Sequence, residues 1–332
     1  MRSVGEGDLN RGSGNSPEIS AILVNYNGSR WIEACLESLL VQLAPFRHEI
    51  IVVDNASRDE SMALVARRFP EVVRLYNQTN LGFARANNQA VAVARGDYLL
   101  LLNVDTRFLD GLEAMYQFLC IHEGCAAVGP RMVDGDGQLR ASWGCFPTLG
   151  NLAATMLGLT HVPVLRRWMC PLLVRPGHRL YPSDARPVDW LSGACLLIPR
   201  RAWETIGALD EELFMYGEDT DWCYRAHQAG WQVWFLPDAS LLHYGSGGRE
   251  WRNWKGEAPT LQWARFVLYF YAKHRGNMAG TMARLLLAAG GLLRCLAGVI
   301  LWCVVRPSER VKARQVITAY AGVLRLAATG RV

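Results

Sequence analysis

The sequence carries nine cysteines but no C-x-x-C pair and no paired Cys/His spacing of the zinc type. A zinc-ribbon or finger framework is excluded at the level of motif, and reduced, mostly buried thiols in a cytosolic protein are expected. No G-x-G-x-x-G follows the first strand-like run, and no G-x-x-x-x-G-K occurs anywhere. Dinucleotide-binding and P-loop chemistry are thereby weakened. Residues 1–18 are rich in Gly, Ser and Asn and lack an apolar h-region, so a disordered extension is expected and not a signal peptide. Acid is scarce at the other end. Residues 261–332 hold one carboxylate, Glu309, against 11 Lys and Arg, whereas residues 1–260 hold 29 acids against 24 bases, so that +10 and −5 sum to the net +5.

That basic tail is also apolar. Leu285 to Leu293 and Cys295 to Val305 are two hydrophobic runs split by Arg294 and bounded by Arg284 and Arg306. A central arginine costs about 3 kcal/mol in a spanning helix, and neither run is long enough to cross alone. Residues 276–332 are therefore expected to form membrane-associating helices that lie in the interface, held by apolar burial and by bases against anionic lipid. A helical hairpin packed on the protein or on a second copy, giving a homodimer, is the alternative. No nucleic-acid partner is expected.

With 332 residues and 51% hydrophobic composition, the rest suffices for one large domain. From Ser20 the chain alternates strand-like and helical runs. Ser20 to Val24, Glu49 to Val53, Val72 to Tyr76 and Tyr98 to Leu102 read as strands. Between them lie helices marked by Leu36, Leu39, Leu40 and Leu43, then Ser61 to Phe69, then Phe83 to Ala94. Right-handed crossovers turn this series into an α/β, doubly wound, mostly parallel sheet flanked by helices. Further on, Ala126 to Val133, Val188 to Ile198 and Trp231 to Pro237 read as strands and Gly217 to Ala229 as a helix. Residues 150–186, with Arg166-Arg167-Trp168, resemble neither a clean strand nor a clean helix and suggest a lid or a membrane-facing insertion.

Polar clusters follow the strands: Asn25-Tyr26-Asn27, Asp54-Asn55-Ala56-Ser57, Asn80-Leu81-Gly82-Phe83 with Asn87, and Asn103-Val104-Asp105. In an open α/β sheet the carboxyl ends of the strands form the ligand crevice, so all four are expected to converge there. Taken singly, Asn25 and Asn27 also suit turns, and Asp54 and Asp105 also suit helix caps. Glu218, Asp219 and Asp221 place three carboxylates within four residues at a helix start. The helix dipole accounts for part of this, but three acids together repel unless one has a cation, a donor or a base's task. His243 stands in LLHYGSGG, followed by small residues.

The ordered motifs VNYNG, VVDNAS, NLGFARANN, LLLLNVDT, WLSGACLLIPR, LFMYGEDTDWCYRA and LLHYGSGG resemble family 2 glycosyltransferases with the GT-A fold, especially the rhamnosyltransferase-like bacterial branch. The resemblance covers residues 19–275. It implies that Asn25, Asn27 and Asp54 contact the nucleoside of a nucleotide-sugar and that Asn80, Gly82 and Asn87 line the same pocket. Asp105 would match the last Asp of the family's D-x-D and bind Mg²⁺ or Mn²⁺ on the diphosphate, with Asn103 in place of the first Asp. Asn still offers a carbonyl oxygen to a hard cation. By the same likeness His243 completes the metal site, Asp219 is the base of an inverting displacement, and Glu218, Asp221 and Trp222 lie on the acceptor side. Trp251 and Trp254, in WRNWKG, suit either stacking on acceptor sugars or packing within the protein.

The donor this implies is dTDP-L-rhamnose, with a UDP-hexose or UDP-N-acetylhexosamine close behind. The acceptor implied is a polyprenyl-diphosphate-linked saccharide at the cytoplasmic face of the inner membrane. A nucleotide-sugar-binding protein without transferase activity is the rival suggested by Asn103, opposed by Asp105, Asp219 and His243. A sugar-phosphate nucleotidyltransferase would carry a Gly-rich, Arg-containing loop after the first strand, which VNYNGSRW is not.

Overall fold

The computed structural model describes residues 16–159, 183–245, 259–305 and 310–329. The residues expected to form the N-terminal extension fall almost wholly outside these, as do most of the 150–186 insertion, the Ser-Gly-Gly after Gly245, and Trp251 and Trp254.

The first half is the alternating series that the hydrophobic pattern implied. It runs β1 (Ile19–Asn25), α1 (Ile32–Leu43), β2 (His48–Asp54), α2 (Ser61–Arg68), β3 (Val73–Tyr76), α3 (Phe83–Val93) and β4 (Tyr98–Asn103). Strands β1 to β4 pair in parallel in the order β3-β2-β1-β4. The four leucines of β4 are buried on both faces. Leu100 and Leu102 face the core under α1 and α2, while Leu99 and Leu101 face the core under α3. Double coverage is why this strand is a continuous apolar run. Within α1, Leu40 lies at the exposed edge and not on the buried stripe.

The second half completes a mixed sheet. It contributes β5 (Thr106–Asp110), α4 (Leu112–Ile121), β6 (Cys125–Val133), β7 (Leu139–Arg140), β8 (Trp143–Gly144) and α5 (Leu149–Met156). After these come β9 (Arg186–Val188), β10 (Trp190–Leu191), β11 (Cys195–Pro199), α6 (Arg200–Ile206), α7 (Glu218–Gln228) and β12 (Gln232–His243). Antiparallel β11 fits between β4 and β6, and β12 runs parallel to β6 and antiparallel to β5, giving the order β3-β2-β1-β4-β11-β6-β12-β5. The single strand expected over Val188 to Ile198 is thus three short pieces. The chain after Asp105 is strand β5 and not a helix, so Asp105 caps nothing. The start of the insertion is a regular helix, α5, whose Thr148 and Asn151 form a capping box. Among the described cysteines seven are free, whereas Cys145 is disulfide-bonded. Spacing alone does not show which thiols the fold brings within bonding range.

The tail forms α8 (Pro259–His274), α9 (Gly276–Val304) and α10 (Arg310–Thr329), which with α5 enclose a third core around Phe266, Phe270, Leu287 and Val323. The two apolar runs are one 29-residue helix, long and apolar enough to cross a membrane. Arg294 does not divide it. Its guanidinium donates to the carbonyls of Thr155 (2.6 Å) and Met156 at the end of α5 and lies over the Tyr320 ring. Arg284 likewise donates to Ala327 and Ala328 at the end of α10 (3.1 and 3.2 Å). Both arginines donate to carbonyls in the last turn of a neighbouring helix, a favourable place for a cation.

The first turn of α7 is clamped to α8. Asp221, 1% exposed, accepts from Arg225 Nε (2.8 Å), Lys273 Nζ (2.8 Å) and His274 Nε2 (2.7 Å), and Lys273 also pairs with Asp210. Burial alone would raise this carboxyl, and the hydrogen bonds from His274, Lys273 and Arg225 reverse that and pull it down to about 2 from its ordinary 3.8. A carboxylate depressed in the folded state contributes stability that is present above its unfolded value and is lost as pH falls toward the folded one. Asp221→Asn is expected to lower unfolding free energy at pH 7 by about 2 kcal/mol. Urea titrations should show that deficit shrinking between pH 4 and pH 2, and a deficit that stays constant down to pH 2 would contradict the clamp.

Candidate functional site

The register of the parallel strands aligns their carboxyl ends. Asn25 pairs with Asp54 across β1 and β2, Asp54 with Tyr76 across β2 and β3, and Val24 with Asn103 across β1 and β4. Asn25, Asp54 and Asn103 therefore stand at one edge, as the order of polar clusters implied. Asn25 is fully buried, and its Nδ2 donates to Ser61 Oγ (2.8 Å), Ser57 Oγ (3.0 Å) and, at 3.4 Å, Asp54 Oδ1. Asn27 takes a left-handed φ of 54°; its N–H donates to Ser57 Oγ (2.9 Å) and its Oδ1 accepts from Arg58 N–H (2.8 Å). Gly28 belongs to this turn, since a Cβ there would lie 2.3 Å from Asn25 Oδ1.

Asn55, inside the expected cluster but not singled out from it, is the hub of the next segment. Its Nδ2 donates to Asn80 Oδ1 (2.9 Å) and the Gly82 carbonyl (3.1 Å), and its Oδ1 accepts from Leu81 N–H and Asn77 Nδ2 (both 3.1 Å). Asn80 and Gly82 are thus tied beside Asp54. Asn87 departs from the expected pocket lining: it is buried and donates to the Phe83 carbonyl (2.8 Å), securing the first turn of α3.

Asn103 and Asp105 flank the tight connection from β4 to β5. The Asn103 carbonyl accepts from Thr106 Oγ1 (2.6 Å), which locks the turn. The antiparallel register of β12 on β5 sets His243 opposite Thr106, so His243 Nε2 stands 3.3 Å from Asp105 Oδ1. Tyr244 N–H donates to the Asp105 carbonyl (3.0 Å), and the Tyr244 ring stacks on Trp31 with centroids 4.4 Å apart. Residues 138 positions apart in sequence meet because two strands pair. A carboxylate oxygen and an imidazole nitrogen side by side suit Mn²⁺ or Mg²⁺, with ligand oxygens to complete the shell. Among the described residues no third His, Cys, Asp or Glu joins them.

The three acids of α7 have three environments. The helix opens at Gly217 (φ 97°), where a Cβ would collide with the Phe266 ring at 1.9 Å. Asp219 is half-buried; Oδ2 accepts from Gly193 N–H (2.9 Å), and Oδ1 accepts from Thr220 N–H (2.6 Å) and Thr220 Oγ1 (3.2 Å). Burial raises its carboxyl, partly offset by those donors. Glu218 is 5% exposed, its Oε2 has no hydrogen-bond donor, and burial followed by the charge of Asp219 raises it strongly. Of this adjacent pair, Glu218 keeps its proton and Asp219 carries the charge.

The acceptor-side assignment is corrected for all three of its residues. Glu218 is buried, and Asp221 is consumed by its clamp to Arg225, Lys273 and His274. Trp222 is fully buried with its indole N–H on the Gly207 carbonyl (2.9 Å). Positions i, i+3 and i+4 of a helix share a face, so Glu218, Asp221 and Trp222 lie together on the buried face of α7, while Asp219, about 100° round from Glu218, stays part-exposed. Gly193, from the WLSGA segment, supplies a functional contact that went unassigned in the sequence. Its place after a strand and before an apolar run was the available signal.

Residues 20–169 match the family described as glycosyl transferase family 2. The N-acetylglucosaminyl-diphospho-decaprenol L-rhamnosyltransferase of Mycobacterium tuberculosis is 32% identical over 242 residues, which span 68% of this chain and 76% of that protein. Among solved structures, the mannosyltransferase PcManGT from Pyrobaculum calidifontis, in complex with GDP-Man and Mn²⁺, superposes with a TM-score of 0.52 at 17% identity, covering 95% of this chain and 87% of that one. GalNAc-T7 with UDP, GalNAc and Mn²⁺ gives 0.53 at 17% identity, covering 79% and 52%. These two likenesses establish the GT-A glycosyltransferase fold.

Proposed function

This chain belongs to glycosyl transferase family 2, and from that footing we propose that it transfers a hexose, with inversion, from a nucleotide-sugar to a saccharide carried on a polyprenyl diphosphate in cell-surface glycan synthesis. The proposed donor is dTDP-L-rhamnose, with UDP-hexoses and UDP-N-acetylhexosamines as the alternatives. The mycobacterial relative, named for an L-rhamnosyl transfer to a decaprenyl-diphosphate-linked sugar, supports this choice. The observation that carries the chemistry is the Asp219 carboxylate, raised by burial and held by Gly193 N–H, whose chain neighbour Ala194 accepts at its carbonyl from Asn103 N–H, two residues before Asp105 of the Asp105–His243 pair.

Asp219 takes the proton of the acceptor hydroxyl as its oxygen bonds to the anomeric carbon, and the bond from that carbon to the diphosphate oxygen breaks in line. A base raised toward neutrality, yet still ionised, is the better proton acceptor. The neutral Glu218 leaves the negative charge on Asp219, while Gly193 and Thr220 fix its orientation. Asp105 and His243 would hold a divalent cation, whose chemistry when bound is to offset charge on the departing nucleoside diphosphate. Asn27, Asp54, Asn80 and Gly82 would hold the nucleoside end, while Asn25, fully buried on Ser57, Ser61 and Asp54, departs from the expected contact and supports that edge from within.

We place the protein at the cytoplasmic membrane face through the helical tail. The outward side of α9 exposes Leu285, Leu292, Leu296, Ile300 and Val304, while Arg284 and Arg294 turn inward to protein carbonyls. An apolar row in a basic segment fits a lipid surface.

Asp219→Asn should reduce turnover about a hundredfold or more with donor affinity retained; near-normal turnover would remove Asp219 from the chemistry. Asp105→Ala and His243→Ala should each weaken Mn²⁺-dependent binding of dTDP-L-rhamnose or UDP-glucose, with the double variant costing less than the sum. Strict additivity would mean that the two do not share a cation. The full chain should sediment with anionic vesicles in preference to neutral ones, and replacing Leu292, Leu296 and Ile300 with Asp should abolish this with dTDP binding intact. Unchanged sedimentation of that variant would refute the lipid-facing assignment of α9.

A further inference from the structure

His243 is the last residue of β12 and the last to find a partner on β5, where it stands opposite Thr106. The end of a ladder is held less firmly than its middle, because strand termini fray. The 3.3 Å between His243 Nε2 and Asp105 Oδ1 therefore depends on what fixes the chain just beyond. Two contacts do so. Tyr244 N–H donates to the Asp105 carbonyl (3.0 Å), and the Tyr244 ring stacks on Trp31 with centroids 4.4 Å apart and planes inclined by 23°.

Trp31 stands at the N-cap of α1, and helix formation does not account for it there. Ser, Thr, Asp or Asn would satisfy an orphan N–H at that position, whereas the Trp31 side chain makes no capping hydrogen bond. Its backbone is nonetheless fixed. Its N–H donates to the Gly28 carbonyl (2.8 Å), and its carbonyl accepts from Cys35 N–H (3.0 Å). The Arg30 guanidinium carbon lies 4.2 Å from the indole centre, a further attraction on the ring. Tyr244 thus packs on a half-buried ring held by the turn that opens α1.

The same segment backs the other donor. A Cβ on Gly28 would lie 3.2 Å from Val104 Cγ2, and Val104 is the residue between Asn103 and Asp105. Cys35 Sγ, one turn into α1, donates to the Asn103 carbonyl at 3.5 Å. The start of α1 therefore touches both strand ends that carry the pair, at Val104 beside Asp105 and at Tyr244 beside His243.

We propose that Trp31 is a positioning residue for the cation: by stacking on Tyr244 it keeps His243 within ligating reach of the ion that Asp105 binds. This rests on the reading of Asp105 and His243 as cation ligands. Trp31 acts through Tyr244 and needs no contact with the ion. Groups that orient metal ligands from behind typically change affinity by about ten- to a hundredfold when removed.

Mn²⁺ binding to the full chain, followed by water proton relaxation with the ion alone and with dTDP or UDP added, tests this in wild type, Trp31→Phe, Trp31→Ala, Tyr244→Ala and the double alanine variant. Below the onset of unfolding, each single alanine variant should bind Mn²⁺ about tenfold more weakly, and Trp31→Phe, which keeps a ring to stack, should stay within about threefold. The double variant should cost no more than either single change, since both remove one contact. A ring that only supports α1 would lower the unfolding midpoint in chelator and leave the Mn²⁺ affinity of the folded protein unchanged. That result, strict additivity, or a loss in Trp31→Phe equal to that in Trp31→Ala would overturn the proposal. Should Trp31→Ala fail to fold, Tyr244→Ala decides alone, and wild-type Mn²⁺ affinity in that variant would overturn it too. Wild type that binds no Mn²⁺ under any of these conditions would remove the cation reading itself, and this proposal with it.

Discussion

Burial of β4 on both faces is the constraint from which the site follows. Its leucines are held by one core under α1 and α2 and another under α3, so the strand can neither slide nor rotate without exposing apolar surface. The first polar residues after that run, Asn103 and Asp105, must then emerge at the carboxyl edge beside Asn25 and Asp54. Antiparallel β5 and β12 continue from there and return His243 to Asp105. A ligand edge common to open α/β sheets thus gains a second donor from the far end of the chain.

Acidity within four residues of α7 is divided by environment and not by residue type. Asp221, ringed by Arg225, Lys273 and His274, is held as an anion for structural ends. Glu218, with no donor on one buried oxygen, is held as an acid, and Asp219 sits between with donors on both oxygens. Carboxyl groups pushed apart in this way are the usual basis for assigning one of them a proton-transfer task. The clamp at Asp221 also ties α8 to the candidate site, since it anchors the turn from which Asp219 projects.

The tail shows how a charged residue changes meaning with its partners. Read along the chain, Arg294 interrupts an apolar stretch and makes a spanning helix costly. In the fold it caps α5 and packs on Tyr320, so α9 continues through it and keeps an apolar outer row. Arginine is a good helix former, and nothing in its backbone preference calls for a break there.

Hydrophobic periodicity by itself determined the alternating first half, the buried character of β4, and the polar clusters beyond each strand, because these depend on local spacing. The ordered motifs were enough for the family. Decided only by the tertiary structure were the antiparallel β5, β11 and β12, the hub role of Asn55, the inward turn of Asn87, and the fates of Glu218, Asp221 and Trp222. Each depends on contacts with residues distant in sequence: Phe266 against Gly217, Gly193 on Asp219, Lys273 and His274 on Asp221. Local pattern sets which face of an element is apolar, but the charge state and direction of a polar side chain are set by what long-range packing places beside it.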